Sequence, residues 1–219
     1  MPLLFAAVTS RRPWLPPLYA IVDPLATGRD PVALAAELLA GGARLLQLRL
    51  TDRPAGEILA IARRLRALTI ACGARLLVND RPDVARAAAA DGVHLGQEDV
   101  PVAVARRLLG SDALIGLSTH DLDEARAALT TDVDYLGVGP VFTTTSKADA
   151  LPARGTPLVA AVRALTDRPL VAIGGITPER APTVLAAGAD SVAMIAALVA
   201  AADVCAATRT TLALLSSNG

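Results

Sequence analysis

The stretch R-L-L-V-N-D-R-P-D-V-A-R-A-A-A-A-D-G-V-H-L-G-Q-E-D, residues 75–99, decides the fold. It opens with a short apolar run, which predicts a buried strand, and the polar pair Asn79-Asp80 ends that run. A segment of helical period follows from Pro82, and a second apolar run then ends in Gln97-Glu98-Asp99. The order of strand, polar end, helix, strand and polar end is typical of parallel β/α units.

The same alternation extends outward from this stretch in both directions. Short runs rich in Val, Ile and Leu predict eight strands, at 18–22, 44–49, 75–78, 92–95, 113–117, 135–138, 170–173 and 191–195. Segments of helical period predict helices at 31–39, 55–71, 82–90, 102–109, 123–129, 157–165, 178–187 and 201–215. Eight such units predict an α/β fold of the (β/α)₈ TIM-barrel class.

An open doubly wound sheet is the alternative architecture for an alternating chain of this kind. It is disfavoured because no Gly-x-Gly-x-x-Gly follows the first strand, where Asp23-Pro24 stands instead. The chain has 219 residues, close to the roughly 250 typical of one barrel. We therefore expect a single barrel domain over 18–219, preceded by an N-terminal extension over 1–17.

Composition excludes several classes of function. The 21 Lys and Arg balance the 21 Asp and Glu, and aromatic residues make up 2% of the chain, so nucleic-acid binding is not expected. The apolar run 191–202 is shorter than the roughly 20 residues that cross a bilayer. Two widely spaced cysteines, Cys72 and Cys205, fit a reducing cytosol. We expect a soluble cytoplasmic protein with small-molecule partners, and a homo-oligomer is compatible with this composition.

Polar residues are concentrated where each predicted strand ends, which is where TIM barrels carry their active sites. Gln47 and Arg49 lie two apart on one strand, so their side chains point the same way. An arginine within an apolar run needs an anion, and its planar fork matches phosphate. A salt bridge inside the barrel is the structural alternative for Arg49.

Two carboxylates, Asp80 and Asp99, follow neighbouring strands. Together with Asn79 they suit a hard divalent cation that also takes phosphate oxygens, which describes Mg²⁺. The alternative is helix capping, because each aspartate lies just before a proline that can begin a helix.

Three further segments are candidates for the site. The hydroxyl-rich segment from Thr143 to Lys147 predicts a lid, and Gly174-Gly175 allows close approach of a phosphate to the backbone. His120 is either a general base or a loop residue, and His94 is expected to be structural. No Ser-His-Asp or Cys-His set indicates covalent catalysis.

These motifs resemble the thiamine-phosphate synthase family over about residues 18–198. The resemblance lies in Asn79-Asp80, in 92–99 with its Gly-Gln-Glu-Asp, and in 137–142 with the Thr-rich tail to Lys147. It continues in Ile173-Gly174-Gly175-Ile176 and in 188–195. The family joins a pyrimidine methyl diphosphate to a thiazole phosphate and releases pyrophosphate.

The resemblance also implies a role for each candidate residue. Metal ligands for Mg²⁺ would be Asp80 and Asp99. Arg49, Ser118 and Lys147 would act in catalysis. The substrate-binding set would be Gln47, Arg49, Asn79, Ser118, Thr144, Ser146, Lys147, Gly175, Ile195 and Ala196, of which Thr144, Ser146, Gly175, Ile195 and Ala196 would receive the thiazole phosphate.

One position departs from the family pattern. Its second strand usually continues Gln-x-Arg-x-Lys, whereas this chain has Thr51 in place of the lysine, with Arg53 two residues on as a candidate substitute. Losing one charge-assisted contact predicts a cost of about 1.5–3 kcal/mol. Two alternatives remain beside a slow synthase: a thiazole tautomerase-like enzyme that uses His120, and a non-catalytic barrel that binds thiamine precursors.

Overall fold

A closed barrel of eight parallel strands forms the molecule. The computed structural model describes residues 15–24, 27–144 and 151–216. Strand order around the barrel follows chain order, and β1 closes on β8, which excludes the open doubly wound sheet. The strands are β1 Leu18–Val22, β2 Leu45–Leu48, β3 Arg75–Asn79, β4 Gly92–Leu95, β5 Leu114–Thr119, β6 Tyr135–Val138, β7 Leu170–Ala172 and β8 Ser191–Met194. The helices are α1 Pro31–Ala40, α2 Ala55–Ala71, α3 Pro82–Ala87, α4 Val102–Leu109, α5 Leu122–Leu129, α6 Gly155–Arg163, α7 Ala181–Ala186, α8 Ala196–Val199 and α9 Val204–Ser216.

The strands are apolar on both faces because each face meets a different part of the core. Every residue of β1, β2, β6 and β8 is buried. One face fills the barrel interior and the other packs against the ring of helices, which accounts for continuous rather than alternating apolar runs.

Element boundaries differ from the sequence prediction in three informative places. β5 continues to Thr119, so Ser118 still belongs to the strand. α3 ends early because the chain turns at Ala89, whose φ of 52° is left-handed without a glycine to signal it. α8 was not predicted, since no turn residue separates it from β8. Among the described helices, none is both long and apolar enough to span a bilayer.

A repeated arrangement of ion pairs and hydrogen bonds stabilises the amino ends of the strands. An aspartate immediately precedes each of β4, β6 and β8. It accepts a hydrogen bond from a backbone N–H near the start of the strand that comes before it in the sequence (β3, β5 or β7). The same aspartate pairs with an arginine of the helix that leads into that earlier strand (α2, α4 or α6). We call these three arrangements the staples: Asp91 with Leu76 N and Arg66, Asp134 with Ile115 N and Arg106, and Asp190 with Leu170 N and Arg163. They stabilise the end of the barrel opposite the polar strand ends.

Candidate active site

Arg49 is held at the mouth of the barrel by an acidic partner. Its backbone N–H donates to the carbonyl of Val22 over 3.0 Å, and its guanidinium pairs with the carboxylate of Asp23. The side chains are 12% and 2% exposed, so the salt bridge considered from the sequence is present. Arg49 Nε is nevertheless buried without a hydrogen-bond partner among the described residues. The pair therefore orients a guanidinium that can still donate to an anion.

Asp80 lies directly after β3 in a strained backbone conformation. Its φ is 61°, and its N–H donates to the carbonyl of His94 over 2.8 Å. Positive φ in a non-glycine residue is uncommon and is concentrated at functional sites. The N-cap of α3 is Arg81, one residue later. The residue at the capping position is therefore Arg81 and not Asp80. Asn79 is the last residue of β3.

Asp99 closes the turn that follows β4. Its carboxylate Oδ2 accepts a hydrogen bond from Gly96 N over 2.7 Å. The N-cap of α4 is Pro101, so Asp99 does not cap that helix. Because β3 and β4 are adjacent, Asp80 and Asp99 extend from neighbouring strand ends. No group of three or more metal-ligating side chains occurs in the described part of the chain, so a cation here would have two carboxylates.

Ser118 is the outer end of a chain of polar side chains that crosses the barrel interior. His94 Nε2 lies 2.9 Å from Ser118 Oγ, and His94 Nδ1 lies 2.9 Å from Tyr135 Oη. The phenol oxygens of Tyr135 and Tyr19 are 3.3 Å apart, and Gln47 Nε2 donates to Tyr19 Oη over 2.8 Å. We call these five residues the interior chain. It joins two predicted site residues, Gln47 and Ser118, through three residues that were not predicted.

Two strand glycines make room for the rings of the interior chain. A Cβ at Gly116 would lie 2.0 Å from the ring of Tyr135, and one at Gly137 would lie 2.9 Å from His94 Cε1. Glycine inside a strand often marks such a close approach, so these two residues were the available signal for the interior chain. His94, expected from sequence to be structural, contacts Ser118 directly.

Burial controls the ionisation of the two phenols. Desolvation raises the pKa of Tyr19 and of Tyr135 well above the ordinary tyrosine value. Hydrogen bonds from Tyr135 and Gln47 oppose the shift at Tyr19, but burial outweighs them. Both phenols are therefore neutral hydrogen-bonding groups across the physiological pH range.

The carboxyl ends of β6, β7 and β8 present backbone groups at the place where the thiazole phosphate is predicted to bind. Gly175 has a φ of 59°, and a Cβ there would lie 2.4 Å from the carbonyl oxygen of Thr143. Phe142 N donates to Gly174 O over 2.9 Å, which ties the loops after β6 and β7 together. Ile195 is buried and precedes α8, whose first residue is Ala196. Thr144 is described, whereas Ser146 and Lys147 lie outside the described residues.

His120 is engaged by a helix beside the barrel mouth. Its Nδ1 lies 2.8 Å from Glu124 Oε2, and its backbone N–H donates to the same oxygen over 2.8 Å. It borders an open cleft of about 480 Å³ that is also lined by the N-cap and three residues of α5, by Arg154 and by Leu158 of α6. The structure thus does not bring His120 together with Ser118 or the two aspartates through any described contact.

Thr51 is exposed at the edge of a cavity of about 210 Å³ above the ends of β1 and β2. Arg29 and Arg53 line the same cavity. Arg53 pairs with Glu57 and Arg29 pairs with Glu37. Arg53, the candidate substitute for the missing lysine, therefore lines the cavity, but its guanidinium is already paired with the carboxylate of Glu57.

Comparison with known proteins identifies the family of the chain. The family model described as thiamine monophosphate synthase matches residues 18–198. The thiamine-phosphate synthase of Moorella thermoacetica is 48% identical over 88% of this chain and 92% of its own, and that of Anaeromyxobacter dehalogenans is 48% identical over 93% and 90%. The structure of the thiamine phosphate pyrophosphorylase from Pyrococcus furiosus superposes with a TM-score of 0.84 at 37% identity, covering 92% of this chain and 96% of that one. The chain belongs to the thiamine monophosphate synthase family.

Proposed function

We propose that this chain is a Mg²⁺-dependent thiamine-phosphate synthase. It joins 4-amino-2-methyl-5-(diphosphooxymethyl)pyrimidine to a thiazole phosphate and releases pyrophosphate. The observation that carries the proposal is that Arg49, Asp80, Asp99 and Ser118 lie at or near the carboxyl ends of β2 to β5, in a barrel whose family is established. We propose that this set binds and stabilises a polyanion and forms no covalent bond to the substrate.

The residues at the ends of β3 and β4 fit a magnesium ion. Mg²⁺ is usually bound through one or two carboxylates together with substrate phosphate oxygens, and Asp80 and Asp99 supply two carboxylates on adjacent strands. The left-handed conformation of Asp80 is the kind of local strain that functional sites retain. A bound Mg²⁺ would neutralise charge that builds on the departing pyrophosphate.

The reaction needs charge stabilisation rather than proton transfer. The C–O bond to the diphosphate breaks, pyrophosphate leaves with the bonding pair, and the thiazole nitrogen uses its lone pair to form the new C–N bond. Arg49, oriented by Asp23, donates to the departing diphosphate. Asn79, at the end of the adjacent strand β3, is proposed to bind the same diphosphate. Lys147, the only lysine of the chain, is proposed to add a second cation. Ser118 and Gln47 hold the pyrimidine.

The thiazole phosphate is proposed to bind at the ends of β6 to β8. Loops after strands 7 and 8 and a short extra helix form the phosphate site in many TIM barrels. Gly175 and the Ile195-Ala196 step into α8 match that arrangement, and Thr144 and Ser146 add hydroxyl donors from the loop after β6. We further propose action in the cytoplasm, which the two free cysteines, Cys72 and Cys205, support.

Product formation tests the proposal directly. Purified protein is incubated with both substrates and Mg²⁺, and thiamine phosphate is assayed by thiochrome fluorescence. We expect product from the natural chain, a loss of rate of at least roughly a hundredfold in Arg49→Met, and no change in His120→Gln. Folded protein that makes no product would contradict the proposal. If calorimetry then showed tight binding of the pyrimidine diphosphate, the chain would be a non-catalytic binding barrel.

A further inference from the structure

The loops after β6 and β7 lie against each other where the thiazole phosphate is proposed to bind. Val141 N donates to the carbonyl of Ile173 over 2.8 Å, one residue before the bond from Phe142 N to Gly174 O. A Cβ at Gly174 would lie 2.6 Å from the Cα of Pro140. The two backbones are therefore in direct contact up to Phe142, so a displacement of one loop would displace the other.

Arg180 contacts both of these loops with one guanidinium group. Its Nη1 donates to the carbonyl oxygen of Gly175 over 3.0 Å, and its Cζ lies 4.7 Å from the centre of the Phe142 ring. A guanidinium within about 6 Å of a ring centre is attracted to the face of the ring. The carbonyl belongs to the loop after β7 and the ring belongs to the loop after β6, so Arg180 joins the two loops through a side chain.

Hydrogen bonds hold the backbone of Arg180 at the start of α7. Its N–H donates to the carbonyl of Thr177 over 3.1 Å, and the same carbonyl accepts from Ala181 N over 3.0 Å. The carbonyl of Arg180 accepts from Val184 N over 3.3 Å. The residue is exposed to solvent, but its side chain extends from a fixed point of the fold.

The positive charge of Arg180 is not used in an ion pair within the described part of the chain. The adjacent carboxylate, Glu179, accepts instead from Thr177 Oγ1 over 2.6 Å. By contrast, Arg29 and Arg53 are each paired with a glutamate. The guanidinium of Arg180 therefore meets a carbonyl dipole and a ring, and its charge can still attract an anion.

The backbone beside this contact has hydrogen-bond donors that meet no acceptor. The N–H groups of Gly174, Gly175 and Ile176 donate to no group of the described residues, and Ile176 is 4% exposed. Buried N–H groups are almost always paired, and successive unpaired N–H groups form sites for anions. In a trans peptide the carbonyl and the following N–H point in opposite directions. By binding the carbonyl of Gly175, Arg180 thus fixes the direction of the N–H of Ile176.

We propose that Arg180 is a positioning residue for the thiazole phosphate. It holds the ring of Phe142 and the peptide between Gly175 and Ile176, so that the loops after β6 and β7 present their donors to the phosphate. The inference rests on the proposed function and adds to it a residue that acts through its neighbours. Because the pyrimidine diphosphate is proposed to bind at the ends of β2 to β5, its binding should not depend on Arg180.

Steady-state kinetics with each substrate varied in turn tests this selectivity. In Arg180→Met we expect KM for the thiazole phosphate to rise roughly three- to tenfold, since one hydrogen bond and one cation–π contact are lost. The value of kcat and the KM for the pyrimidine diphosphate should not change. Arg107→Met removes an exposed arginine of α4 and is the control for net charge. Equal changes of KM for both substrates, or the same result in the control, would overturn the inference.

Two further variants separate positioning from attraction by charge alone. Arg180→Lys keeps the charge but lacks the planar fork that contacts a carbonyl and a ring together, so most of the rise in KM should remain. In Phe142→Leu the ring is absent, so the effect of adding Arg180→Met should be smaller than in the natural chain. Full recovery with lysine, or an unchanged effect in the Phe142→Leu background, would contradict a positioning role.

Carbon-13 NMR of ring-labelled phenylalanine tests the contact without substrate or turnover. The chain has two phenylalanines, so Phe142→Leu assigns their signals. We expect the ring signals of Phe142 to shift in Arg180→Met and to stay in place in Arg107→Met. Unchanged signals in Arg180→Met would overturn the inference. Absence of product from the natural chain would instead reject the proposed function and leave the NMR result intact.

Discussion

Thr51 is the residue at which this chain departs from its family, and its surroundings define what the departure costs. The two arginines that share its cavity are each paired with a glutamate. An arginine that must leave a carboxylate to meet a phosphate contributes less than a free lysine would. The structure therefore offers a reason to expect a handicap rather than full compensation.

Restoring the lysine should relieve that handicap. We expect Thr51→Lys to raise kcat/KM for the pyrimidine diphosphate roughly ten- to hundredfold, since a charge-assisted hydrogen bond contributes about 1.5–3 kcal/mol. Steady-state kinetics with varied pyrimidine diphosphate measures it. Thr130→Lys adds the same charge at an exposed residue after α5 and should leave kinetics unchanged. Equal effects of the two variants would show that only net charge had been changed.

The staples are features of whole strand–helix units, and they lie at the end of the barrel away from the site. In the second staple Arg106 also hydrogen-bonds the carbonyls of Ala113 and Asp132 and is 14% exposed. Asp134 is meanwhile fixed by the N–H of Ile115. Removing the arginine would leave a partly buried carboxylate and backbone carbonyls without their donor.

Arg106→Met should therefore destabilise the fold while sparing catalysis. We expect the free energy of unfolding to fall by about 1–3 kcal/mol, with kcat unchanged. Urea unfolding followed by circular dichroism measures the loss. Arg126→Met is the matched control, because the pair of Arg126 with Asp123 is exposed and such pairs contribute little. A similar loss in both variants would remove any special role for the staples.

At the scale of the whole molecule, the buried phenols link stability to alkaline pH. Both tyrosines have a folded-state pKa raised by burial above the unfolded value of about 10. The unfolded chain thus releases these protons first, so the stabilisation is complete below about pH 10 and is lost as the pH rises through the folded-state pKa.

We expect the free energy of unfolding to fall above about pH 10 by up to about 1.4 kcal/mol per pH unit for each tyrosine. Tyr19 and Tyr135 are the only tyrosines, so the near-ultraviolet phenolate band should appear together with unfolding. Tyr19→Phe should weaken the dependence. A phenolate band that develops while circular dichroism still reports a folded chain would contradict this expectation.

Architecture was predictable from the sequence because the alternating pattern and the polar strand ends are local signals. Arg49, Asp80, Asp99 and Ser118 could be placed for the same reason, each lying at or just after a strand. The interior chain could not, because Tyr19, His94 and Tyr135 meet only when distant strands close into a barrel. The boundary at Ala89 and the helix α8 were missed because neither carries glycine or proline as a marker.

Asp80 and Asp99 are proposed to hold a divalent ion that the reaction requires, and the magnesium dependence of product formation tests this role most directly. We expect thiamine phosphate formation to stop on chelation and to return with Mg²⁺. Asp80→Asn and Asp99→Asn should need far more Mg²⁺ and lose rate by at least roughly a hundredfold. Asp83→Asn, an exposed carboxylate in the first turn of α3, should match the natural chain. Undiminished activity in chelator, or identical magnesium curves for all three variants, would contradict the account.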